Sequence, residues 1–195
     1  MSIHIEPSVD IDDSVVIGDG TMIWHLAQLR DRARIGENCV IGRGAYIGPG
    51  VIIGKNTKVQ NYALIYDPAE LGDGVFIGPG VVLTNDVYPR AVEVDGTPKQ
   101  ATDWDAKGVR VGSGASIGAR SVILAGVTVG DWALIGAGSV VIRDVPNYAL
   151  HVGNPSRQVG WVGRAGFKLE QNGSHWTCPE TKEQYEEATN GLDLT

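Results

Sequence analysis

Aliphatic residues occupy every sixth position of this chain from Ile5 to Leu83 without exception. After one interruption the same period resumes at Val111 and continues to Val141. A helix repeats at about 3.6 residues and a half-buried strand at about 2, so neither explains a period of six. A fixed short period over this length indicates one small structural unit repeated many times. The series comprises Ile5, Ile11, Ile17, Ile23, Leu29, Ile35, Ile41, Ile47, Ile53, Val59, Ile65, Leu71, Ile77, Leu83, Val111, Ile117, Ile123, Val129, Ile135 and Val141.

Each hexad has the same order of residue types. Gly often follows the aliphatic residue, and Gly or Asn recurs at the fourth position, where a tight corner needs a left-handed backbone. The fifth position carries small or β-branched residues such as Ala33, Thr57 and Ser121. A bulky and a small inward residue followed by a corner predict one short strand of a three-sided coil. Three hexads then form one coil, so residues eighteen apart in sequence lie one above the other, in six to seven coils.

This pattern resembles the left-handed parallel β-helix of the hexapeptide-repeat acyltransferases. The resemblance implies the left-handed coil, which departs from the usual right-handed crossover. We therefore expect an all-β fold, a three-sided prism of hexapeptide repeats over residues 1–146 that a long loop over residues 84–110 interrupts. Residues 147–195 are expected to form a closing segment and a short tail, with a hairpin at Asn172-Gly173. A purely structural β-solenoid has the same period and stays the alternative.

The composition narrows the class of partner. The chain has 195 residues and a net charge of −7, which argues against broad binding to nucleic acid or to an anionic membrane. Because no apolar run is long enough to span a bilayer, we expect a cytoplasmic protein. The two cysteines, Cys39 and Cys178, lie far apart in the sequence, so we expect neither a metal site nor a disulfide.

Some outward positions form apolar columns. One column contains Gln28, Tyr46, Leu64 and Val82, each eighteen residues from the next. Stacked apolar residues on an outer face are typical of a surface that binds another protein, although scattered exposed aliphatic residues are also common. The family resemblance implies a homotrimer with the active sites between subunits.

The period fails between Thr84 and Arg110, in a segment rich in charge, Pro and Gly. A connection of this length inside a compact domain is uncommon and is often functional. A disordered insertion is the alternative, but Tyr88 and Trp104 favour an ordered loop.

Motifs around this loop resemble the nucleotide 3-amino-sugar N-acetyltransferases, over about residues 1–166. The resemblance implies acetyl-CoA as cosubstrate, no metal, and a role in the synthesis of precursors of surface polysaccharides such as lipopolysaccharide or O-antigen. It is strongest to enzymes that acetylate UDP-2-acetamido-3-amino-2,3-dideoxy-glucuronate. The same reaction on a dTDP-3-amino-dideoxyhexose and a non-catalytic solenoid scaffold are the alternatives. The motifs are Ile23-Trp24-His25, Lys58-Val59-Gln60-Asn61, Ile65-Tyr66, Gly74-Val75-Phe76-Ile77-Gly78-Pro79, Thr84-Asn85-Asp86, Pro89-Arg90, Asn147-Tyr148-Ala149-Leu150 and Gly153-Asn154-Pro155-Ser156-Arg157-Gln158-Val159-Gly160-Trp161.

By resemblance, Asn85 lies beside the thioester and the sugar amine. An amide nitrogen is not basic, so we expect Asn85 to accept a hydrogen bond from the amine and aim its lone pair. Asp86 and His25 are the rival general bases. Asp86 could instead form an Asx turn or an ion pair with Arg90, and His25 could instead pack against Trp24 or bind sugar.

Substrate and cofactor contacts are assigned in the same way. Arg90 and Arg30 are candidates for the anionic groups of the substrate, because phosphates and a sugar carboxylate need cations. Asn61 and Tyr66 are candidates for the sugar or nucleotide, or else stabilise corners. For coenzyme A the resemblance implies a turn followed by two cations, although a plain chain reversal also suits this turn. These residues are Gly153, Asn154, Pro155, Arg157 and Arg164.

Overall fold

The computed structural model describes residues 2–100 and 102–195, and in those ranges the chain forms strands, turns and no helix. A helix long and apolar enough to cross a membrane is therefore not found in the described part of the chain. The first twenty strands have two residues each. They are β1 His4–Ile5, β2 Asp10–Ile11, β3 Val16–Ile17, β4 Met22–Ile23, β5 Gln28–Leu29, β6 Arg34–Ile35, β7 Val40–Ile41, β8 Tyr46–Ile47, β9 Ile52–Ile53, β10 Lys58–Val59, β11 Leu64–Ile65, β12 Glu70–Leu71, β13 Phe76–Ile77, β14 Val82–Leu83, β15 Arg110–Val111, β16 Ser116–Ile117, β17 Val122–Ile123, β18 Thr128–Val129, β19 Leu134–Ile135 and β20 Val140–Val141.

These strands form three parallel sheets that are the walls of a three-sided, left-handed β-helix. Sheet 1 contains β1, β4, β7, β10, β13, β16 and β19, sheet 2 contains β2, β5, β8, β11, β14, β17 and β20, and sheet 3 contains β3, β6, β9, β12, β15 and β18. Every pairing within a wall joins residues of consecutive coils, as Tyr46 with Leu64 and Leu64 with Val82. The predicted fold and the stacking of residues eighteen apart are thus confirmed.

The repeated aliphatic residues fill the axis of the prism. From Ile23 to Val141 each of them is at most 3% exposed. The small residues at the fifth position are buried beside them, and a buried hydroxyl there is satisfied by the backbone, as Thr21 Oγ1 donates to Gly36 O at 2.8 Å. The corners depend on the left-handed conformation at the fourth position, with φ of +66° at Gly80 and +59° at Asn56.

The loop leaves the wall after β14 and returns at Val109, which already occupies a buried fifth position. Inside it, Val92 and Pro98 form an antiparallel bridge, and Glu93 N donates to Thr97 O at 2.8 Å. The described part of the loop is therefore a folded excursion that contains a tight hairpin.

The C-terminal part closes one end of the prism. Strand β21 (Ala149–Val152) pairs in parallel with β19, and β22 (Arg157–Trp161) folds back on β21. The division of the chain at residue 146 stays a prediction, since β21 beyond it still extends sheet 1. A four-stranded antiparallel sheet follows: β23 (Glu170–Asn172), β24 (His175–Thr177), β25 (Gln184–Ala188) and β26 (Gly191–Leu194).

This sheet has its own small core around Tyr148, Cys178, Tyr185 and Leu192. Burial raises the pKa of Tyr185 to about 12, and its hydroxyl donates to Glu183 Oε2 at 2.8 Å. The expected hairpin at Asn172-Gly173 is present as the first part of a larger sheet. Cys39 and Cys178 are both buried as free thiols.

Candidate active site

Three columns of corners join the walls, and we name each by the two sheets that it connects. The loop leaves and rejoins the 2–3 edge. Backbone hydrogen bonds stack Thr84 above Tyr66, Tyr66 above Gly48, and Gly48 above Arg30, where "above" means toward the C-terminal end of the prism. Four consecutive coils therefore present side chains in one column that ends at the base of the loop.

Asn85 lies at this base with a fixed side-chain orientation. Its Nδ2 donates to the carbonyl oxygen of Asp67 at 2.8 Å, and its own backbone carbonyl accepts from Lys107 N at 2.8 Å. Because the nitrogen end of the amide faces the wall, the oxygen end faces away from it. Within the described residues Oδ1 has no hydrogen-bond partner, so it is a carbonyl acceptor presented beside the loop.

The departure of the loop explains this orientation. At most other corners the N–H at the fourth position of a hexad donates to the third carbonyl of the coil below, as Gly80 N to Asn61 O at 3.0 Å. At the level of Asn85 the fourth residue is Asp86, which belongs to the loop, and among the described residues it donates no such bond. The side chain of Asn85 donates to Asp67 O instead of this backbone N–H, since a half-buried carbonyl favours a hydrogen-bond partner.

Asp67 is a candidate site residue that the sequence reasoning missed. It lies directly below Asn85 and is half-buried, and the described residues give its carboxylate no hydrogen-bond donor. Its Oδ1 lies close to the wall, 3.1 Å from where a Cβ on Gly48 would stand. The stacking rule was the available signal, because Asp67 precedes Asn85 by one full coil.

Two tyrosines lie below and beside this carboxylate. The rings of Tyr46 and Tyr66 are 5.3 Å apart at an angle of 47°. Burial, and then the charge of Asp67, raise the pKa of the Tyr46 hydroxyl, so it stays a neutral hydrogen-bond donor at neutral pH. The structure thus brings Tyr66, Asp67 and Asn85 together on one edge with Tyr46 beside them.

Asp86 begins the loop proper. Its Oδ1 accepts from Tyr88 N at 2.8 Å, which is an Asx turn, one of the structural alternatives for this residue. The other alternative, an ion pair with Arg90, does not occur between these two described side chains, and Arg90 Nη1 donates to Pro89 O at 2.8 Å. One carboxylate oxygen of Asp86 is therefore occupied by the turn, while Arg90 is exposed.

A cavity of about 540 Å³ opens in the loop next to Asn85. Lys99 and Lys107 supply positive charge, and Lys99 Nζ lies 3.7 Å from Glu93 Oε1. Three carboxylates, Asp86, Asp103 and Asp105, also line it, so its walls combine aromatic rings with charges of both signs and are suited to a polar ligand with a flat ring. The aromatic lining residues are Tyr88 and Trp104.

His25 and Asn61 lie on a different edge, the 1–2 edge. His25 Nδ1 lies 3.0 Å from Ser8 Oγ, and its Nε2 lies 3.4 Å from Glu6 Oε2. Asn61 Oδ1 accepts from Arg43 N at 2.9 Å, so this oxygen holds a corner. Within one chain neither side chain is brought to Asn85.

The C-terminal candidates lie at the closed end of the prism. Gly153 (φ +100°), Asn154 and Pro155 form the turn between β21 and β22, and Gly153 N donates to Ser139 Oγ at 3.1 Å. Arg157 follows the turn and is exposed. Arg164 is held by Glu183, whose Oε1 is 3.2 Å from Arg164 Nε.

A smaller cavity of about 220 Å³ adjoins this turn and is lined in part by Arg143, His151, Ser156 and Arg157. Burial lowers the pKa of His151, which therefore favours the neutral form there. Across residues 2–100 and 102–195 no three His, Cys, Asp or Glu side chains are grouped as metal ligands.

Comparisons with known proteins identify similar chains. A family model described as bacterial transferase hexapeptide (six repeats) matches residues 14–49, 50–85 and 108–143. The interval it leaves unmatched between 85 and 108 is the loop. Among curated proteins, dTDP-3-amino-3,6-dideoxy-alpha-D-galactopyranose 3-N-acetyltransferase from Aneurinibacillus thermoaerophilus is 44% identical over 60 residues, which are 31% of this chain and 31% of that protein.

Solved structures give a similar picture. PerB from Caulobacter crescentus, in complex with CoA and GDP-perosamine, is 26% identical with a TM-score of 0.52, and the match covers 82% of this chain and 58% of PerB. A mutant of AntD, an N-acyltransferase from Bacillus cereus in complex with dTDP and coenzyme A, is 21% identical with a TM-score of 0.54 over 83% of this chain and 82% of AntD, and supports the fold alone. The chain thus spans less than two thirds of PerB and matches about a third of the curated relative.

Proposed function

Because the chain belongs to the bacterial transferase hexapeptide family, we propose that it is an acetyl-CoA-dependent N-acetyltransferase of a nucleotide-linked 3-amino sugar. The observation that carries the proposal is the orientation of Asn85, whose amide nitrogen is held by Asp67 O while its oxygen faces away from the wall. The curated relative acts on a dTDP-linked 3-amino sugar, and PerB binds CoA and a GDP-linked sugar, which supports this reaction class.

The proposed reaction depends more on the positioning of the amine and the thioester than on general acid–base catalysis. The lone pair of the sugar amine attacks the acetyl carbon, the carbon–sulfur bond breaks, and the thiolate leaves with the proton that nitrogen gives up, directly or through water. Asn85 Oδ1 accepts a hydrogen bond from the amine and so aims the lone pair, and fixing two reactants in this way is worth about 7–11 kcal/mol in the best cases.

Asp67 is proposed to act at the same end of the substrate. A free sugar amine carries a proton in part of its population at neutral pH, and a half-buried carboxylate one coil below Asn85 attracts that cation to the site. The extra proton then leaves to water, and the neutral amine, which has the lone pair, attacks. Asp86 remains the alternative base through the carboxylate oxygen that its Asx turn does not use. His25 would reach such a site only from another subunit.

The C-terminal turn is proposed to contact coenzyme A. Arg157 fits a phosphate group, because it is exposed and has no carboxylate partner among the described residues. Arg164 fits less well, since Glu183 already neutralises it. Gly153, Asn154 and Pro155 place Arg157 at the end of the prism.

Two sugars remain as candidates for the substrate. The UDP-linked 2-acetamido-3-amino-2,3-dideoxy-glucuronate is the one that the sequence motifs favour, and the curated relative supports a dTDP-linked 6-deoxy sugar equally well. They differ at C6, where the glucuronate carries a carboxylate and the 6-deoxy sugar does not. A C6 carboxylate needs a cation in the protein, and Arg90 is the candidate in the loop.

We also propose a cytoplasmic homotrimer. Above Tyr46, the outer face of sheet 2 carries half-buried Leu64 and Val82 in one column, which suits a subunit interface. Sedimentation of the purified chain tests the trimer, and a monomer at micromolar concentration would contradict it.

The reaction is tested by measuring thiol release from acetyl-CoA with a panel of UDP- and dTDP-linked 3-amino sugars, and by mass spectrometry of the products. We expect an N-acetylated sugar with at least one of them. No turnover with any amino sugar, and no thermal shift with acetyl-CoA, would support the scaffold alternative.

A further inference from the structure

The 2–3 edge below Asn85 has a carboxylate at its upper end and a guanidinium, with Asp10 and Asp31 beside it, at its lower end. Asp67 lies at the upper end, and Arg30 lies two coils further down in the same column. At about 4.8 Å per coil, the backbone of Arg30 is about 14 Å below that of Thr84. The coil between them has Gly48-Pro49-Gly50 at this edge, so no long side chain separates Arg30 from the tyrosines.

Arg30 is available to an incoming anion. Its side chain is 44% exposed, and its Nη1 lies 3.3 Å from Oδ2 of Asp10, which is 64% exposed. An ion pair this exposed contributes little stability, so a phosphate can displace Asp10 at small cost. The neighbouring Asp31 does not compete for Arg30, because it is paired with Arg32 at 2.8 Å.

Two aromatic rings lie between Arg30 and Asn85. Tyr46 projects from sheet 2 at the level of Gly48, and its ring lies 5.3 Å from that of Tyr66. After burial and Asp67, the charges of Arg30 and Asp31 both act on the pKa of Tyr46, Arg30 lowering it and Asp31 raising it, because their corner lies one coil below this ring. A sugar ring packs well on such aromatic faces, and the Tyr46 hydroxyl can donate to its oxygens.

This order of groups matches the order of groups in a nucleotide-linked amino sugar. We infer that Arg30 binds the diphosphate of the substrate, that the sugar lies across Tyr46 and Tyr66, and that the amine reaches Asn85. The inference deepens the proposed function and rests on it. It selects the lower part of the 2–3 edge over Arg90 in the loop as the phosphate subsite, because a carboxylate then faces the amine and a guanidinium faces the phosphates.

The test is calorimetric titration of the full chain with UDP and with dTDP. Arg30→Ala is expected to weaken binding of the nucleotide that the wild type prefers by about tenfold or more, since hydrogen bonds to charged groups are the strong ones. Arg34→Ala is the matched control, equally charged and exposed on the outer face of sheet 3, and is expected to bind within about twofold of wild type. Asp10→Asn frees Arg30 and is expected to tighten binding by about twofold to fivefold.

Arg30→Lys serves as a second variant that keeps the charge but not the forked geometry, with an expected intermediate loss. In turnover assays Arg30→Ala should raise KM for the nucleotide sugar and leave kcat and the acetyl-CoA affinity near wild type. Equal nucleotide binding by Arg30→Ala and Arg34→Ala would overturn the inference, as would a loss confined to Arg90→Ala. If the wild type binds acetyl-CoA and nucleotide but Arg30→Ala changes nothing, only the inference fails. If the wild type binds neither, the proposed function fails as well.

Discussion

Asn61 and Asn85 occupy the same third position of their hexads, on two different edges of the same prism. Asn61 turns its oxygen inward, where it accepts from Arg43 N at 2.9 Å. Asn85 turns its nitrogen inward, where it donates to Asp67 O at 2.8 Å. The first side chain completes a regular corner, and the second replaces a backbone donor that the loop has removed. Asparagine at the third position of a hexad therefore stabilises a corner on the 1–2 edge and presents a hydrogen-bond acceptor on the 2–3 edge.

The largest effect is expected at Asn85. Asn85→Ala removes the acceptor that aims the amine, and a misplacement of about 1 Å costs about a hundredfold in rate. We expect kcat for thiol release to fall by about that factor, while the oligomeric state by sedimentation stays unchanged. Asn85→Asp is the informative partner variant, because it keeps the oxygen but cannot donate to Asp67 O. Wild-type turnover in Asn85→Asp would show that the inward hydrogen bond does not position the oxygen.

A smaller effect is expected for Asp67, one coil below Asn85. Asp67→Asn keeps the shape of the side chain and removes its charge, so the site no longer attracts the protonated sugar amine. We expect kcat/KM for the amino sugar to fall by about tenfold, with affinity for acetyl-CoA unchanged. Asp73→Asn is the matched control, since Asp73 caps a corner on the 3–1 edge by accepting from Lys55 N at 3.0 Å. Equal activity losses in both variants would remove Asp67 from the site.

The regular part of this molecule was predictable because each hexad repeats the same physical problem. One bulky residue must fill the axis and one small residue must fit the turn, so Ile23 and Ala27 have equivalents along the whole prism. Every strand from β1 to β20 follows from that rule. The loop was predictable as an interruption, because the rule fails there.

The orientation of Asn85 was not predictable from the residue itself. It depends on Asp67 O, in the coil below, which has no backbone donor because the chain leaves the wall at Asp86. The stacking interval of eighteen residues would have identified Asp67 had it been applied downward from Asn85. The C-terminal sheet has no period to reveal it, and its local turn signals are the two Asn-Gly pairs, Asn172-Gly173 and Asn190-Gly191.

On the structural edge, Asn61→Ala should affect stability and not catalysis. It removes one side-chain acceptor from a corner, which is worth about 0.5–1.5 kcal/mol. We expect a lower midpoint of urea unfolding and an unchanged kcat per folded subunit. Asn85→Ala also loses one bond to the backbone, so the two variants form a pair with similar stability losses and different activities. A fall in kcat for Asn61→Ala at constant stability would return Asn61 to the substrate site.

The smallest effects are expected for Asp86 and His25, the two rival general bases, which lie on different edges of the prism. Asp86→Asn keeps an oxygen for the Asx turn to Tyr88 and removes the charge, so turnover should stay within about threefold of wild type if positioning by Asn85 suffices. His25→Asn on the 1–2 edge should likewise retain most of kcat. A general base contributes about 10²–10⁴-fold, so a loss of that size in either variant, with the pH–rate profile losing the fall at low pH that protonation of the base causes, would identify that residue as the base. A loss in His25→Asn alone would further mean that the 1–2 edge of one subunit faces the 2–3 edge of another, since within one chain the two edges are separate.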